Sequence, residues 1–483
     1  MNVGVAMLAV GAVLAASVAL ALGAAKTGLP ALVAFLGLGM VLGSDGPGGI
    51  AFDDAAVARE VGIVSLVAIL YEGGLSTSWR RLRAVALPAT LLSTVGVAVT
   101  AAVTGCFAHM LFDLSWPEAF LLGSVVSSTD AAAVFATLRR TRLRRGLART
   151  LEAESGGNDP VAIALTLGLI AWIERPHYGV DDLAMLLVKQ IGIGLAFGLA
   201  IGIVATWVFA RIPASIGSFA PVASAATAAL AFGAADATHG SGFLSVYLVG
   251  LAVGSTPSRY RGQLVTFHEG VAFVAQVALF IVLGLLVFPS RLPHVAFAGL
   301  GLALALIVVA RPLAVWASTP FVGFTARERA LLGWAGLRGA VPIVLATFVL
   351  SSHLRSADTI FNAVFFVVLV SVALQGTTLE WVAARLGLVG TPSPPQAPLE
   401  VMRTGTLDLE EFRVSADHAI AGAAVREIGL PREALVAVVV RGDDAIPPRG
   451  STRIEAGDVL FVLVPHGKRP EVVDVFERWR RRV

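Results

Sequence analysis

Runs of about 20 apolar residues recur from Met1 to about Leu386. A helix rising about 1.5 Å per residue needs that length to cross about 30 Å of hydrocarbon. We read about thirteen such runs, at 3–23, 30–45, 57–75, 85–110, 117–138, 146–173, 182–210, 217–236, 242–256, 265–288, 294–317, 327–351 and 359–386. The second and ninth are short for a span. With 56% apolar and 14% charged residues, the chain lies far from soluble composition. Its 50 glycines suit helices that must approach closely in lipid. The expected fold is therefore an all-α polytopic membrane protein followed by a small α+β domain. Met1 to Leu22 lacks the basic region of a signal peptide and reads as the first span. The single Cys106 excludes a disulfide framework and a cysteine metal site.

Basic residues alternate between loops. One set of loops holds Lys26, Arg80, Arg81, Arg83, Arg139, Arg140, Arg142, Arg144, Arg145, Arg211, Arg259, Arg261, Arg327 and Arg329. The other holds Arg59, Arg175, Arg291 and Arg355. Basic loops face the cytoplasm, which places the N-terminus outside and the C-terminus inside. Because these charges belong to short membrane loops, the basic balance implies no nucleic-acid partner.

The character changes after Leu386. We assign residues 1–388 to a transmembrane domain, 389–402 to a proline-rich linker and 403–483 to a soluble domain. In that domain Leu409 to Val414, Ala434 to Arg441 and Asp458 to Val464 read as strands. Ile420 to Ile428 and Val472 to Trp479 read as helices.

Charges in the depth of a span are costly enough to mark function. Ser127-Ser128-Thr129-Asp130 lies about 13 residues into the fifth span, roughly 20 Å deep. Its hydroxyl and backbone oxygens are the hard ligands that alkali cations need. A carboxylate capping a broken helix is the plainer reading, and such caps are themselves parts of transporter sites. The second cluster, Leu151-Glu-Ala-Glu-Ser-Gly-Gly-Asn-Asp-Pro160, puts three acids, an amide and a hydroxyl into the sixth span. Gly156 and Gly157 are expected to loosen this helix, and Pro160 frees the carbonyl of Gly156. Ser155 and Asp159 share one face, whereas Glu154 and Asp159 diverge by about 140° and are expected to have different partners. The third, Gly333-Trp-Ala-Gly-Leu-Arg-Gly-Ala-Val-Pro342, buries Arg338 about 11 residues from the cytoplasmic end of the twelfth span. An arginine so placed needs a partner.

The fifth and twelfth spans run in opposite directions and both break at mid-depth, as inverted-repeat transporters do at their binding sites. If Arg338 neutralises Glu154, one carboxylate, Asp159, remains to hold a proton or a cation but not both. Competition at one acid makes exchange obligatory, and one proton per cation makes it electroneutral.

The combination of Ser128-Thr129-Asp130, Glu154-Ser155-Gly-Gly-Asn158-Asp159-Pro160 and Gly336-Leu337-Arg338-Gly339-Ala340 resembles the NhaP branch of the monovalent cation:proton antiporters. The resemblance covers residues 1 to about 388. It implies a homodimer whose core domain moves as an elevator. It also implies cation coordination by Asp159, Ser155 and the Thr129 backbone, support from Asn158 and Asp130, and a structural pair of Glu154 with Arg338. Ser128 and Gln375 are candidates to line the cavity. Glu72 reads as a helix-end acid, and His239 and His268 as interfacial histidines.

The tail, Ala434 to Asp443 and Ile454 to Leu463, is similar to the TrkA-C type domain of potassium-conductance regulators. No Gly-x-Gly-x-x-Gly follows a strand, so no cofactor such as NAD is expected, though a small-molecule ligand of the tail is. The tail tilts the expectation to K+ over Na+ or Li+, with a bacterial cytoplasmic membrane as the setting. A regulator-gated cation channel would want a carbonyl filter, which is missing from the sequence. A membrane hydrolase would want a histidine or metal-ligand spacing beside the acids, and is disfavoured.

Overall fold

The computed structural model describes residues 2–27, 31–130, 134, 143, 145–256, 258, 260–389, 407–415, 418–441, 444–465 and 468–479. The chain divides into two compact units, Met1–Thr391 and Pro392–Val483. The expected linker lies, beyond residue 389, outside the described residues.

The first unit is helical. Its elements are α1 (Val3–Thr27), α2 (Ala31–Leu42), α3 (Ala55–Ser76), α4 (Ala86–Phe112), α5 (Trp116–Val125), α6 (Arg145–Glu174) and α7 (Val180–Phe209). They continue as α8 (Ala220–Ala237), α9 (Gly242–Ser255), α10 (Arg261–Leu286), α11 (Pro289–Ser318), α12 (Ala326–Trp334), α13 (Ala340–Leu350) and α14 (Ala357–Arg385). Among the described residues, eight helices are long and apolar enough to cross a membrane. The expected second and ninth spans are short, at 12 and 14 residues. Large apolar side chains such as Leu8, Val188, Ile203 and Phe297 point outward, which lipid rather than water would accommodate.

Local signals set the helix starts. Asp54 accepts from the backbone N–H groups of Ala56 and Val57 to begin α3. Ser115 donates through its N–H and its hydroxyl to the Glu118 carboxylate where α5 opens, and reciprocal Thr325–Glu328 bonds open α12. Small residues then let helices touch. A Cβ on Gly74 of α3 or on Gly254 of α9 would overlap the other helix's backbone, so these two helices meet without side chains between them.

The fifth and twelfth spans break as expected. After α5 ends, Ser127 to Asp130 is irregular, and a non-helical stretch separates α12 from α13. The two breaks touch, with the Asp130 N–H donating to the Leu337 carbonyl at 2.9 Å. The rest of the expected fifth span, 131–133 and 135–138, lies outside the described residues. The sixth span is one helix, and α6 runs continuously through Gly156, Gly157 and Pro160. An interior proline removes its own N–H donor, and surrounding helices can hold the turn in place. Gly156 and Gly157 serve close approach instead, the first to Tyr247 and the second to Ser93.

In the second unit, β1 (Leu407–Arg413), β2 (Leu435–Arg441), β3 (Asp444–Ile446) and β4 (Val459–Pro465) form one antiparallel sheet in the order β1-β4-β2-β3. Leu409 pairs with Leu463 and Val439 with Leu460. The final helix, α15 (Arg469–Trp479), packs Val472, Val475 and Phe476 into the core beneath it. The Phe476 ring stacks on Phe412 at 3.7 Å. The expected helix at 420–428 is instead turns ending in a 3₁₀ turn, Val425–Glu427. Gly422 and Gly429, both at positive φ, break its helical spacing.

The candidate cation site

Where the two broken spans cross, their two backbone breaks converge on the middle of α6. The break after α5 contributes Ser127 to Asp130, and the break before α13 contributes Leu337 to Gly339. Helix α6 contributes Glu154 to Asp159. A π-helical turn, Leu92–Gly96 in α4, packs against the same helix, and a second, Leu306–Ala310 in α11, ends at Arg311, whose side chain reaches Glu154. The Ser93 hydroxyl, in the first, donates to the Glu154 carbonyl at 2.9 Å. Arg311 follows directly on the second, and wide turns of this kind often sit beside functional groups.

Asp159 is buried, and its Oδ1 accepts from the Ser128 hydroxyl at 2.5 Å. One turn away, Ser155 donates to the Thr129 carbonyl at 2.5 Å and lies 3.3 Å from the Thr129 hydroxyl. Asn158 donates through Nδ2 to that hydroxyl at 2.6 Å. Ser128, Thr129, Asp130, Ser155 and Asp159 line one cavity of about 390 Å³. Asn158 holds Thr129 from behind and is not among the lining residues. A cation beside Asp159 would meet carboxylate, hydroxyl and carbonyl oxygens, the hard donors that suit an alkali ion. Among the described residues, Asp159 has no basic side chain bonded to it.

The ends of the half-helices carry compensating charges. Arg338 donates through Nη1 to the carbonyls of Ser127 and Ser128, both at 2.6 Å, beyond the C-terminal end of α5. The Asp130 carboxyl sits over Gly339 at the start of α13, where a Cβ would collide with it. A cation at a helix C-terminus and an anion at an N-terminus each oppose the local dipole.

One expected pairing is corrected. Glu154 pairs with Arg311, Nη1 to Oε1 at 2.5 Å, and not with Arg338. Both side chains are almost completely buried, at 1% and 3% exposed. Arg338 follows the broken backbone and is held by it, whereas Arg311 emerges from the adjoining π turn against Glu154. Gly336 leaves room for the Arg311 side chain. Sequence reasoning passed over Arg311, although an arginine inside the apolar run 294–317 carried the same signal as Arg338. Gln375 is also corrected. It does not line the cavity but donates to the Trp334 carbonyl at 2.7 Å, the last of α12, while accepting from Ser371 at 2.5 Å. Glu72, expected as a helix-end acid, lines the cavity and accepts from Ser76 at 2.7 Å.

The transmembrane sodium/hydrogen exchanger family matches residues 12–385, and the TrkA-C domain family matches residues 409–476. The chain is 39% identical over 462 residues to the K(+)/H(+) antiporter NhaP2 of Shewanella baltica, covering 94% of this chain and 80% of the relative. It is 34% identical to the K(+)/H(+) antiporter NhaP of Alkalimonas amylolytica, covering 98% and 83%. Among solved structures, the sodium proton antiporter MjNhaP1 from Methanocaldococcus jannaschii superposes with a TM-score of 0.71 at 24% identity. That match covers 80% of this chain and 99% of the other. The chain therefore belongs to the sodium/hydrogen exchanger family, as a multi-pass membrane cation:proton antiporter that carries a TrkA-C domain.

Proposed function

We propose that this antiporter exchanges K+ for H+ across a bacterial cytoplasmic membrane, with Asp159 holding either ion in turn. The observation that carries this reading is the buried Asp159 carboxylate on the cavity wall, flanked by Ser128, Thr129 and Ser155 oxygens. The other charges at the crossing are accounted for. Glu154 is paired with Arg311, and Arg338 and Asp130 sit at opposed helix ends. Glu72 and Glu152 also line the cavity, each accepting from a hydroxyl, and Asp159 at the crossing is the carboxylate shared by one proton or one monovalent cation, so exchange is obligatory and electroneutral.

The preference for K+ follows the two named K(+)/H(+) relatives and the TrkA-C domain. A relative from Aphanothece halophytica, 29% identical over 68% of this chain, is named a Na(+)/H(+) antiporter, so Na+ is the second ion to test. The protein works as a homodimer by elevator motion of the broken-helix core. Its N-terminus lies outside and its tail in the cytoplasm, where the tail takes a small-molecule ligand. Proton movement in proteoliposomes on addition of K+, Na+ or Li+, for wild type and Asp159→Asn, tests the reading. Saturable exchange, highest in affinity for K+ and abolished by the substitution, is the expected result. Cation flux uncoupled from protons would sink it in favour of a channel.

A further inference from the structure

The cavity extends past Asp159 along α6. Glu152 lies on its wall seven residues before Asp159, which at about 100° and 1.5 Å per residue puts the two carboxylates on one face, roughly 10 Å apart. The Thr77 hydroxyl donates to Glu152 Oε1 at 3.0 Å. Between the acids the helix carries Gly156, and the Tyr247 ring of α9 lies directly over it. A Cβ on Gly156 would overlap the ring and come against the phenol oxygen.

Tyr247 is only 6% exposed, and among the described residues no group stands within full hydrogen-bond reach of its buried hydroxyl, although the Thr77 hydroxyl and the Glu152 carboxylate are close enough to act on it. A buried hydroxyl left unpaired costs about 1–3 kcal/mol, and packing alone would be served as well by phenylalanine. The oxygen belongs to a residue on the cavity wall, beside a carboxylate and a threonine hydroxyl. Every donor in this group is a hard oxygen.

We infer that Tyr247 and Glu152, with Thr77, form a second station for a monovalent alkali cation in the same cavity. It takes the ion before Asp159 does. Glu152 supplies charge, while the Tyr247 and Thr77 oxygens replace part of the hydration shell. The ion then moves about two turns along α6 to Asp159 as the proton leaves. The station supplies affinity for the incoming ion and takes no part in the proton exchange itself. This inference rests on Asp159 being the exchange carboxylate.

The test is K+-dependent proton movement in proteoliposomes for wild type, Tyr247→Phe, Glu152→Gln, the double variant and Asp159→Asn. Thermal melting of each in detergent confirms folding. Tyr247→Phe removes one oxygen atom and keeps the ring over Gly156. Each single substitution is expected to raise the apparent KM for K+ at least fivefold with the maximal rate within twofold. The double variant should be no worse than the poorer single, because both remove one station. With saturating K+, the pH profile of the rate should match wild type. A KM within twofold of wild type for Tyr247→Phe, or a fall in maximal rate at unchanged KM, overturns the station. If Asp159→Asn still exchanges, the Asp159 reading fails. If it is silent while Tyr247→Phe and Glu152→Gln behave as wild type, only the station fails.

Discussion

A double-mutant cycle distinguishes the partner that Glu154 has from the one its sequence suggested. Glu154 and Arg311 are 1% and 3% exposed with 2.5 Å between Oε1 and Nη1. Removing one member leaves the other charge buried and uncompensated, which costs about 3–5 kcal/mol. Glu154→Gln and Arg311→Met should each show that loss. The pair replaced together leaves no orphan charge and should cost much less than the sum, giving a coupling energy of at least about 2 kcal/mol. Arg338 gives the contrast. Its Nη1 is held by the carbonyls of Ser127 and Ser128, so Arg338→Met should be costly alone but couple to Glu154→Gln by less than about 1 kcal/mol. The assay is the unfolding free energy in mixed detergent micelles, followed by the fluorescence of the eight tryptophans. A coupling of Glu154 to Arg338 equal to or larger than that to Arg311 would refute the assignment.

Three further outcomes are expected. Ser155→Ala removes the donor to the Thr129 carbonyl and one oxygen of the site; the apparent KM for K+ should rise roughly tenfold in vesicle exchange assays, matching about 1.4 kcal/mol for one lost hydrogen bond. Gly156→Ala drives a methyl group into the Tyr247 ring, and the melting temperature and expression should fall, with melting restored when Tyr247→Ala opens the space. In the tail, Asp458 accepts from Arg441 and from the Glu455 N–H. Asp458→Asn should speed hydrogen exchange of the β2 and β4 amides at least about tenfold while exchange activity in the membrane unit stays at wild-type level.

The first unit was legible because a bilayer imposes one length and one polarity on each span. The breaks in the fifth and twelfth spans were legible too, since Ser127 to Asp130 and Gly333 to Pro342 combine helix-breaking residues with charge at a depth where neither is cheap. Partners were not. Arg311 and Arg338 are both buried arginines, and which one reaches Glu154 depends on how α6, α11 and the α12–α13 break are stacked. No single-span pattern encodes that. Gly156 and Gly157 read as loosening α6 for a related reason, because the neighbours they admit, Tyr247 and Ser93, lie on other helices. In the tail, the strands followed from alternation, whereas 420–428 carried helical spacing that two left-handed glycines override.

The proposed one-for-one exchange rests on how the charges at the crossing of the broken spans are paired. Each break exposes helix ends, and each end would attract an ion by its own dipole. Arg338 lies across the carbonyls past α5 and Asp130 lies over the start of α13, so the ends are already answered by charges of the protein's own. They hold the crossing together, and the proposed exchange asks no change of them. Glu154 and Arg311 likewise cancel at the back of α6. At the crossing the cavity presents Asp159, held by a neutral serine hydroxyl instead of a fixed cation, and in the proposed exchange that charge is answered by whichever mobile ion arrives. Bringing a fixed positive charge within bonding distance of Asp159, as Ser128→Lys would, should therefore abolish exchange while leaving the fold assembled. Retained coupled exchange in that variant would mean that the mobile charge is carried elsewhere.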